Sequence, residues 1–150
     1  MTSKESVRDF FESTNIAVVG VSRKNSKFGN IIYKELKKKG INVYGVNPNM
    51  ENIEGDKCYK NLQELEGKIE AVVNVVPPKE TLNVVKEANA IGVKNIWMQQ
   101  GSESAEAIEY CRENDINEVH KECILMFAEP VKSIHGFHRW IWKVLGRLPN

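Results

Sequence analysis

Short apolar runs and longer amphipathic segments alternate along most of this chain. The runs at residues 16–20, 41–46, 71–76, 95–98 and 116–120 have the length and composition of buried strands. Apolar residues recur at helical spacing up to about residue 13 and in the segments 31–39, 61–65, 79–91 and 102–114. This order predicts an α/β domain with a doubly wound, mostly parallel sheet of about five strands and helices on both faces.

The ends of the predicted strands are the places where such a sheet binds ligands. In doubly wound sheets the ligand occupies a crevice beyond the carboxyl ends of the strands, where the strand order reverses. The candidate residues after the first four strands are Gly20, Val21 and Ser22, then Asn47 and Pro48, then Pro77, and finally Met98 and Gln99.

The loop after the first strand, within IAVVGVSRKNSKFGN (16–30), has features of a phosphate-binding turn. Gly20 has no Cβ, so the chain can turn sharply and a ligand can approach the backbone. The following amides and the N-terminus of the next helix can bind a phosphate, and Arg23, Lys24 and Lys27 add positive charge. In the alternative interpretation Gly20 only forms the turn and the basic residues are solvated, since the GxGxxG pattern is absent and Gly29 comes late.

The end of the second strand carries no carboxylate. NAD-binding domains usually place Asp or Glu here, where it accepts a ribose hydroxyl. Because Asn47 and Pro48 stand at this position, a ligand with a phosphorylated ribose, such as NADP or coenzyme A, is favoured over NAD. We expect a cationic cleft without carboxylates at this edge of the sheet. The alternative is that both residues serve only the turn.

Two prolines end the third strand. Pro77 and Pro78 cannot donate backbone hydrogen bonds, and they present an apolar surface suited to an adenine or a pantetheine chain. A simple stop signal for the strand is an equally ordinary interpretation. Trp97, in the fourth strand, is assigned to the core rather than to a ligand contact.

Composition is that of a soluble globular protein with one domain, residues 1–150. The net charge of +1 argues against a nucleic-acid partner, which usually requires a basic excess. The N-terminus lacks a signal peptide, and no apolar run approaches the roughly 20 residues of a membrane helix. Three cysteines without a CxxC pair indicate reduced thiols in a cytoplasmic protein. We expect no metal site.

The C-terminal segment, 132–150, is predicted to be an amphipathic helical extension. Its apolar face and its basic complement consist of Phe137, Trp140, Ile141, Val144 and Leu145, with Lys132, Arg139, Lys143 and Arg147. The apolar face is expected to cover the sheet, a second subunit or a protein partner, and a membrane-surface helix is the alternative.

Four stretches, in order, resemble one family: IAVVGVSRKNSKFGN, VYGVNPN, VVNVVPPKET and GVKNIWMQQG. Over roughly residues 15–125 the chain is similar to the small stand-alone CoA-binding proteins. Their Rossmann-like domain resembles the N-terminal domain of the succinyl-CoA synthetase alpha subunit. The resemblance implies a Rossmann-like fold and a nucleotide-type ligand, coenzyme A or an acyl-CoA.

By position, the resemblance implies ligand contacts from four strand ends. The first loop would cradle the phosphates and adenosine, the second strand end would flank the ligand, and the third and fourth would line adenine and pantetheine. The residues concerned are Gly20, Val21, Ser22, Arg23, Lys27, Phe28, Gly29, Asn47, Pro48, Val75, Val76, Pro77, Met98 and Gln99.

The chain departs from the synthetase pattern in three places. Its first loop has fewer glycines. The synthetase lysine that follows the strand-two proline falls near Met50, which leaves Lys27 or Lys57 to replace that phosphate contact. The second domain with the synthetase phosphohistidine has no counterpart in these 150 residues, so its ligase chemistry is not expected here.

The sequence contains no convincing catalytic constellation. His120 is expected to be structural, and neither His135 nor His138 stands beside a nucleophile. Cys123 follows the fifth strand, near the expected position of the coenzyme thiol, so a mixed disulfide there is a hypothesis.

We therefore expect non-covalent binding of coenzyme A or an acyl-CoA, without catalysis by this chain alone. Two alternatives stay open: a small NADP-dependent oxidoreductase and a CoA-responsive regulatory or scaffold protein. The first would need a proton donor such as Tyr near the nicotinamide. The second would use the C-terminal helix to contact a protein partner or to form a homo-oligomer.

Overall fold

In the computed structural model, which describes residues 4–24 and 27–124, strands and helices alternate in the order that the sequence predicts. The elements are α1 (Lys4–Phe11), β1 (Asn15–Val19), α2 (Phe28–Lys38), β2 (Asn42–Val46), β3 (Asn52–Ile53), β4 (Asp56–Tyr59), a 3₁₀ helix (Leu62–Leu65), β5 (Ala71–Asn74), α3 (Pro78–Ala90), β6 (Asn95–Met98), α4 (Ala105–Glu113) and β7 (Asn117–Val119).

These strands form one sheet in the order β3-β4-β2-β1-β5-β6-β7. Every neighbouring pair is parallel except β3 and β4, which are antiparallel. From β1 the chain builds outward to β2 and β4 on one side, and to β5, β6 and β7 on the other. The strand order therefore reverses between β1 and β5, as in Rossmann-like sheets, and the predicted fold class is confirmed.

A short hairpin forms two strands that the hydrophobic pattern does not predict. No strand was predicted between residues 46 and 71, yet β3 pairs with β4 across a tight turn at Glu54 and Gly55. Both turn residues have positive φ, 49° and 83°, as a type I′ hairpin turn requires. β4 then pairs with β2, so that Tyr59 lies beside Val46. The sequence does not reveal these strands, because β3 has only two residues and β4, with the sequence DKCY, contains no apolar run.

Each face of the sheet is covered by its own apolar core. Phe10 and Phe11 of α1 pack edge-on against Trp97 of β6, with ring centroids 5.3 and 5.5 Å from it. Trp97 is fully buried, which confirms its assignment to the core. The opposite face buries Leu62 and Leu65 of the 3₁₀ helix together with α3 and α4. Because both faces are covered, a ligand must approach the ends of the strands.

At the amino ends of the strands, asparagine side chains bond to each other across the sheet. Asn42 donates from Nδ2 to Oδ1 of Asn15 (3.1 Å), and Asn117 donates in the same way to Asn95 (3.0 Å). Glu70 accepts from the backbone amides of Asn15 and the preceding residue, at 3.1 and 2.9 Å. Burial alone would raise the Glu70 pKa, but these hydrogen bonds outweigh it and hold that pKa below its usual value. Hydrogen bonds within the protein thus occupy these polar groups at the amino ends of the strands.

Several element boundaries differ from the predicted ones. β5 ends at Asn74, before the predicted residue 76. α4 begins at Ala105 because Ser104 caps it, with Oγ accepting from the amide of Ala107 at 3.1 Å. The predicted helix at 132–150 lies outside the described residues. Among the helices of the described residues, none is long and apolar enough to cross a membrane.

Candidate functional site

Two glycines bring the start of α2 against the end of β1. A Cβ on Gly29 would lie 2.5 Å from the carbonyl oxygen of Gly20. Gly20 itself has φ of 115°, and a Cβ there would lie 3.2 Å from the carbonyl carbon of Val75. Gly29 therefore leaves no room for a side chain, and at Gly20 a side chain would be crowded as well as strained by the backbone angle. The close approach places the N-terminus of α2 at the point where the strand order reverses.

Two asparagine side chains fix the loop between these glycines. Asn30 accepts from the amide of Ser22 and donates to its carbonyl oxygen, both at 2.7 Å. Asn47 donates to the carbonyl oxygen of Val21 (2.7 Å) and accepts from the amide of Asn49 (2.8 Å). Asn47 therefore holds the ends of β1 and β2 together. Asn30 was not predicted to be a site residue, because its position in a helix conceals its contact with the loop.

Several backbone amides of this loop donate hydrogen bonds within the protein and are therefore not available to a ligand. The amide of Gly20 donates to Val46, that of Ser22 to Asn30, and that of Lys24 to the hydroxyl of Ser22. By contrast, Lys27 at the N-terminus of α2 has extended backbone angles and provides no side-chain cap. The first turn of α2 is consequently the better donor site for an anion.

The basic residues of the loop divide between two places. Arg23 donates to the carbonyl oxygen of Asn49 at 2.8 Å, whereas Lys27 is exposed beside Phe28, which is 40% exposed. A cavity of about 510 Å³, here called the hairpin cleft, lies beside Arg23. Its lining consists of Ser22, Arg23, Asn30, Asn49, Met50, Glu51, Asn52, Ile53 and Glu54.

A second cavity, the strand-end cleft, has a volume of about 430 Å³ and lies at the carboxyl ends of β1 and β2 and beside α3. Four predicted site residues line it: Gly20, Asn47, Pro48 and Val76. The other lining residues are Val19, Val46, Asn49, Lys60, Asn61, Leu62, Glu80, Asn83, Val84 and Glu87. The two clefts share Asn49, and six of the fourteen predicted site residues line one or the other, since Ser22 and Arg23 line the hairpin cleft.

The strand-end cleft contains carboxylates that we did not expect. Glu80 and Glu87 line it together with Asn83, because positions 80, 83 and 87 share one face of α3. The Glu87 carboxylate already has a partner within the protein, because its Oε1 accepts a hydrogen bond from the amide of Leu62 at 2.6 Å. The expectation of a carboxylate-free cleft was therefore wrong. Lys60 is the basic residue among those that line it.

The residues predicted at the ends of the third and fourth strands differ in exposure. Val75 is half-buried and contacts the core on the face opposite α3, while Pro77 is exposed at the start of that helix. Met98 and Gln99 are buried. The side chain of Gln99 accepts from the amide of Ile124 at 3.0 Å, so it serves the fold at this edge.

The lysine position that departs from the synthetase pattern has a structural explanation. Met50 is buried in the core beneath the hairpin cleft. Lys57 lies over the ring of Tyr59, with Nζ 4.8 Å from the ring centroid, and lines a groove at the opposite end of β2. Of the lysines from this hairpin region, Lys60 is the one that lines the strand-end cleft.

Histidine and cysteine form no reactive cluster in the part of the chain that the structure describes. His120 is buried and its Nδ1 lies 2.6 Å from Oε2 of Glu118. Cys58 and Cys111 are buried, and burial raises the pKa of Cys111 to about 12. Cys123 is half-buried. Among the described residues no group of three or more His, Cys, Asp or Glu could hold a metal ion, and His135 and His138 lie outside them.

Comparison with known proteins gives consistent matches. The profile of the CoA binding domain family matches residues 14–129. An ADP-forming acetate–CoA ligase of Methanocaldococcus jannaschii is 35% identical over 116 residues, which are 77% of this chain and 16% of the ligase. The chain likewise spans 19% of an acetate–CoA ligase subunit alpha of Pyrococcus furiosus. It therefore spans less than a fifth of these ligases.

Other similar proteins are close to this chain in length. An uncharacterised protein of Bacillus subtilis is 29% identical over 124 residues, which are 81% of this chain and 91% of that protein. The solved structure of a conserved hypothetical protein from Pyrococcus furiosus is 43% identical, with a TM-score of 0.71. The match covers 75% of this chain and 97% of that structure.

Proposed function

The chain belongs to the CoA-binding domain family, and on this premise we propose that it binds coenzyme A or an acyl-CoA non-covalently across the strand-end cleft. The observation that carries the proposal is the approach of Gly29 to Gly20. This approach leaves the uncapped N-terminus of α2 at the reversal of strand order, where doubly wound sheets bind nucleotide phosphates.

The diphosphate of the ligand binds at the first turn of α2. The helix N-terminus supplies amide donors and the positive end of the helix dipole. Arg23 and Lys27 add positive charge, and Val21 and Ser22 form the adjoining backbone. Phe28, exposed in the first turn, contributes an aromatic surface beside the phosphates.

The adenosine and the pantetheine chain lie along the strand ends. Pro48 flanks the ligand at the end of β2, where Asn47 orients the loop through its bond to Val21. Val75, Val76 and Pro77 provide the apolar wall after β5. The pantetheine chain passes the end of β6, where the buried Met98 and Gln99 support the backbone.

The proposal is for binding alone. Ligase activity is stated for relatives several times longer than this chain, and it is not carried over. The absence of a carboxylate at the end of β2 leaves NADP as the competing ligand, because its ribose is also phosphorylated.

Titration with CoA, acetyl-CoA, NADP and NAD tests this proposal, with thermal unfolding as the readout. A ligand stabilises the native state according to its excess over Kd. We expect CoA and acetyl-CoA to raise the Tm at concentrations at which NADP and NAD do not. A larger shift with NADP would overturn the proposed ligand and leave the fold intact.

A further inference from the structure

Lys60 lies where the ends of β2 and β4 meet. It directly follows Tyr59, the last residue of β4, whose carbonyl oxygen accepts from the amide of Asn47 at 2.9 Å. That bond joins the end of β4 to the end of β2. Lys60 therefore lines the strand-end cleft beside Asn47 and Pro48.

Among residues 4–24 and 27–124, the Lys60 ammonium has no hydrogen-bond or ion-pair partner. Its backbone amide donates to Oε1 of Glu64 at 2.7 Å, which fixes the main chain, but no hydrogen bond or ion pair there involves its Nζ. Lys34 and Lys37, by contrast, pair with carboxylates of the hairpin. The Lys60 ammonium is therefore available to an anionic group of a ligand.

Lys60 provides the positive charge in the lining of the strand-end cleft. Glu80 and Glu87 also line the strand-end cleft, and Lys60 is the cation among the lining residues. Without it the charged groups of the lining would all be carboxylates, which repel a phosphate. Among the residues that line this cleft, Lys60 is therefore the one whose charge attracts a phosphate.

The chemistry of the proposed ligand supplies such a phosphate. In doubly wound domains the diphosphate lies at the first helix and the adenosine ribose lies at the end of the second strand. Coenzyme A carries a further phosphate on the 3′-hydroxyl of that ribose. The end of β2 is the place where Lys60 lies.

We propose that Lys60 binds the 3′-phosphate of coenzyme A and sets the preference for CoA over the same molecule without this phosphate. The inference rests on the proposed CoA-binding function and deepens it. The contact to the 3′-phosphate falls to Lys60, the residue after β4, because Met50 is buried and Lys57 lies over the ring of Tyr59, outside the cleft. Lys60 thus determines specificity, while α2 supplies the contacts common to all adenosine diphosphates.

Calorimetric titration with CoA and dephospho-CoA, which differ only in the 3′-phosphate, tests the inference. We expect the wild-type chain to bind CoA about tenfold more tightly, as one charge-assisted contact would give. Lys60→Ala is expected to weaken CoA binding to the level of dephospho-CoA and to leave dephospho-CoA unchanged. Lys60→Arg should keep the preference, and added salt should reduce it.

Lys57→Ala is the matched control, because it removes a lysine from the same hairpin but outside the cleft. It should keep the wild-type preference. The inference is overturned if wild type shows no preference, if Lys60→Ala keeps it, or if that variant weakens both ligands equally. Wild-type protein that binds neither ligand would instead refute the proposed function itself.

Discussion

The carbonyl oxygen of Gly20 lies 2.5 Å from the position that a Cβ on Gly29 would occupy. This contact joins the end of β1 to the first turn of α2, and it leaves no room for any side chain. In a GxGxxG fingerprint, the third glycine gives the helix the same close approach to the strand. Here the second glycine stands nine positions later because the intervening loop is longer, so the spacing departs from the fingerprint while the packing is retained.

Gly29→Ala is expected to displace α2 and to weaken CoA binding. The new methyl group would clash with backbone rather than with a flexible side chain, and such overpacking costs about 1–3 kcal/mol. Urea unfolding and calorimetric titration measure the two effects. Gly40→Ala, at the other end of α2, is the control: its φ of 87° makes alanine unfavourable by about 1–2 kcal/mol, without a steric contact. It should lose stability but retain affinity, and equal loss of affinity in both variants would contradict the role given to Gly29.

The double variant Arg23→Ala, Lys27→Ala should bind CoA about tenfold more weakly than wild type. Its affinity should also depend less on salt, because two of the charges facing the diphosphate are gone. Titrations at low and high salt measure both quantities. Lys38→Ala removes an exposed lysine from the last turn of α2 and should leave both unchanged. Wild-type affinity in the double variant would mean that the basic loop is only solvated.

Glu70 predicts an acid-sensitive component of stability. Its folded pKa lies below the unfolded value of about 4.3, so its contribution is present above that pH and is lost as the pH falls through the folded pKa. Glu70→Gln should therefore lower the free energy of unfolding near pH 7, by less than ~1 kcal/mol because the carboxylate is exposed. Below the folded pKa the difference from wild type should vanish. The exposed Glu66→Gln is the control, and a loss that persists in acid would refute the assignment.

The three cysteines should differ sharply in reactivity. Burial raises the pKa values of Cys58 and Cys111, and both thiols are inaccessible, whereas Cys123 is half-buried. Alkylation of native protein near pH 8, followed by mass spectrometry, should modify Cys123 first and the others only after unfolding. Rapid native labelling of Cys111 would contradict its position in the core. The same method with oxidised CoA tests the hypothesis of a mixed disulfide on Cys123, with Cys123→Ser as the control.

The sequence predicts five of the seven strands, including β7 at one edge of the sheet. β1, β5 and β6 are covered on both faces, so each appears as an apolar run. β3 has only two residues, and β4, with the sequence DKCY, contains no apolar run. The turn between them depends on two residues with positive φ.

The same omission limited the prediction of the site. Gly20 and Pro48 could be identified because they stand at the carboxyl ends of recognised strands, and both line the strand-end cleft. Lys60 follows β4, so its position could not be inferred until that strand was known. The carboxylates of α3 were missed for a different reason: which face of a helix borders a cleft depends on its rotation, which one sequence does not define.

A structure of the chain crystallised with CoA is the most direct test of where the ligand lies. We expect the diphosphate at the first turn of α2, within hydrogen-bonding distance of the backbone around Gly29. The adenosine should lie in the strand-end cleft beside Pro48 and Lys60. CoA bound elsewhere, for example in the groove between α3 and α4 lined by Leu82 and Tyr110, would contradict it.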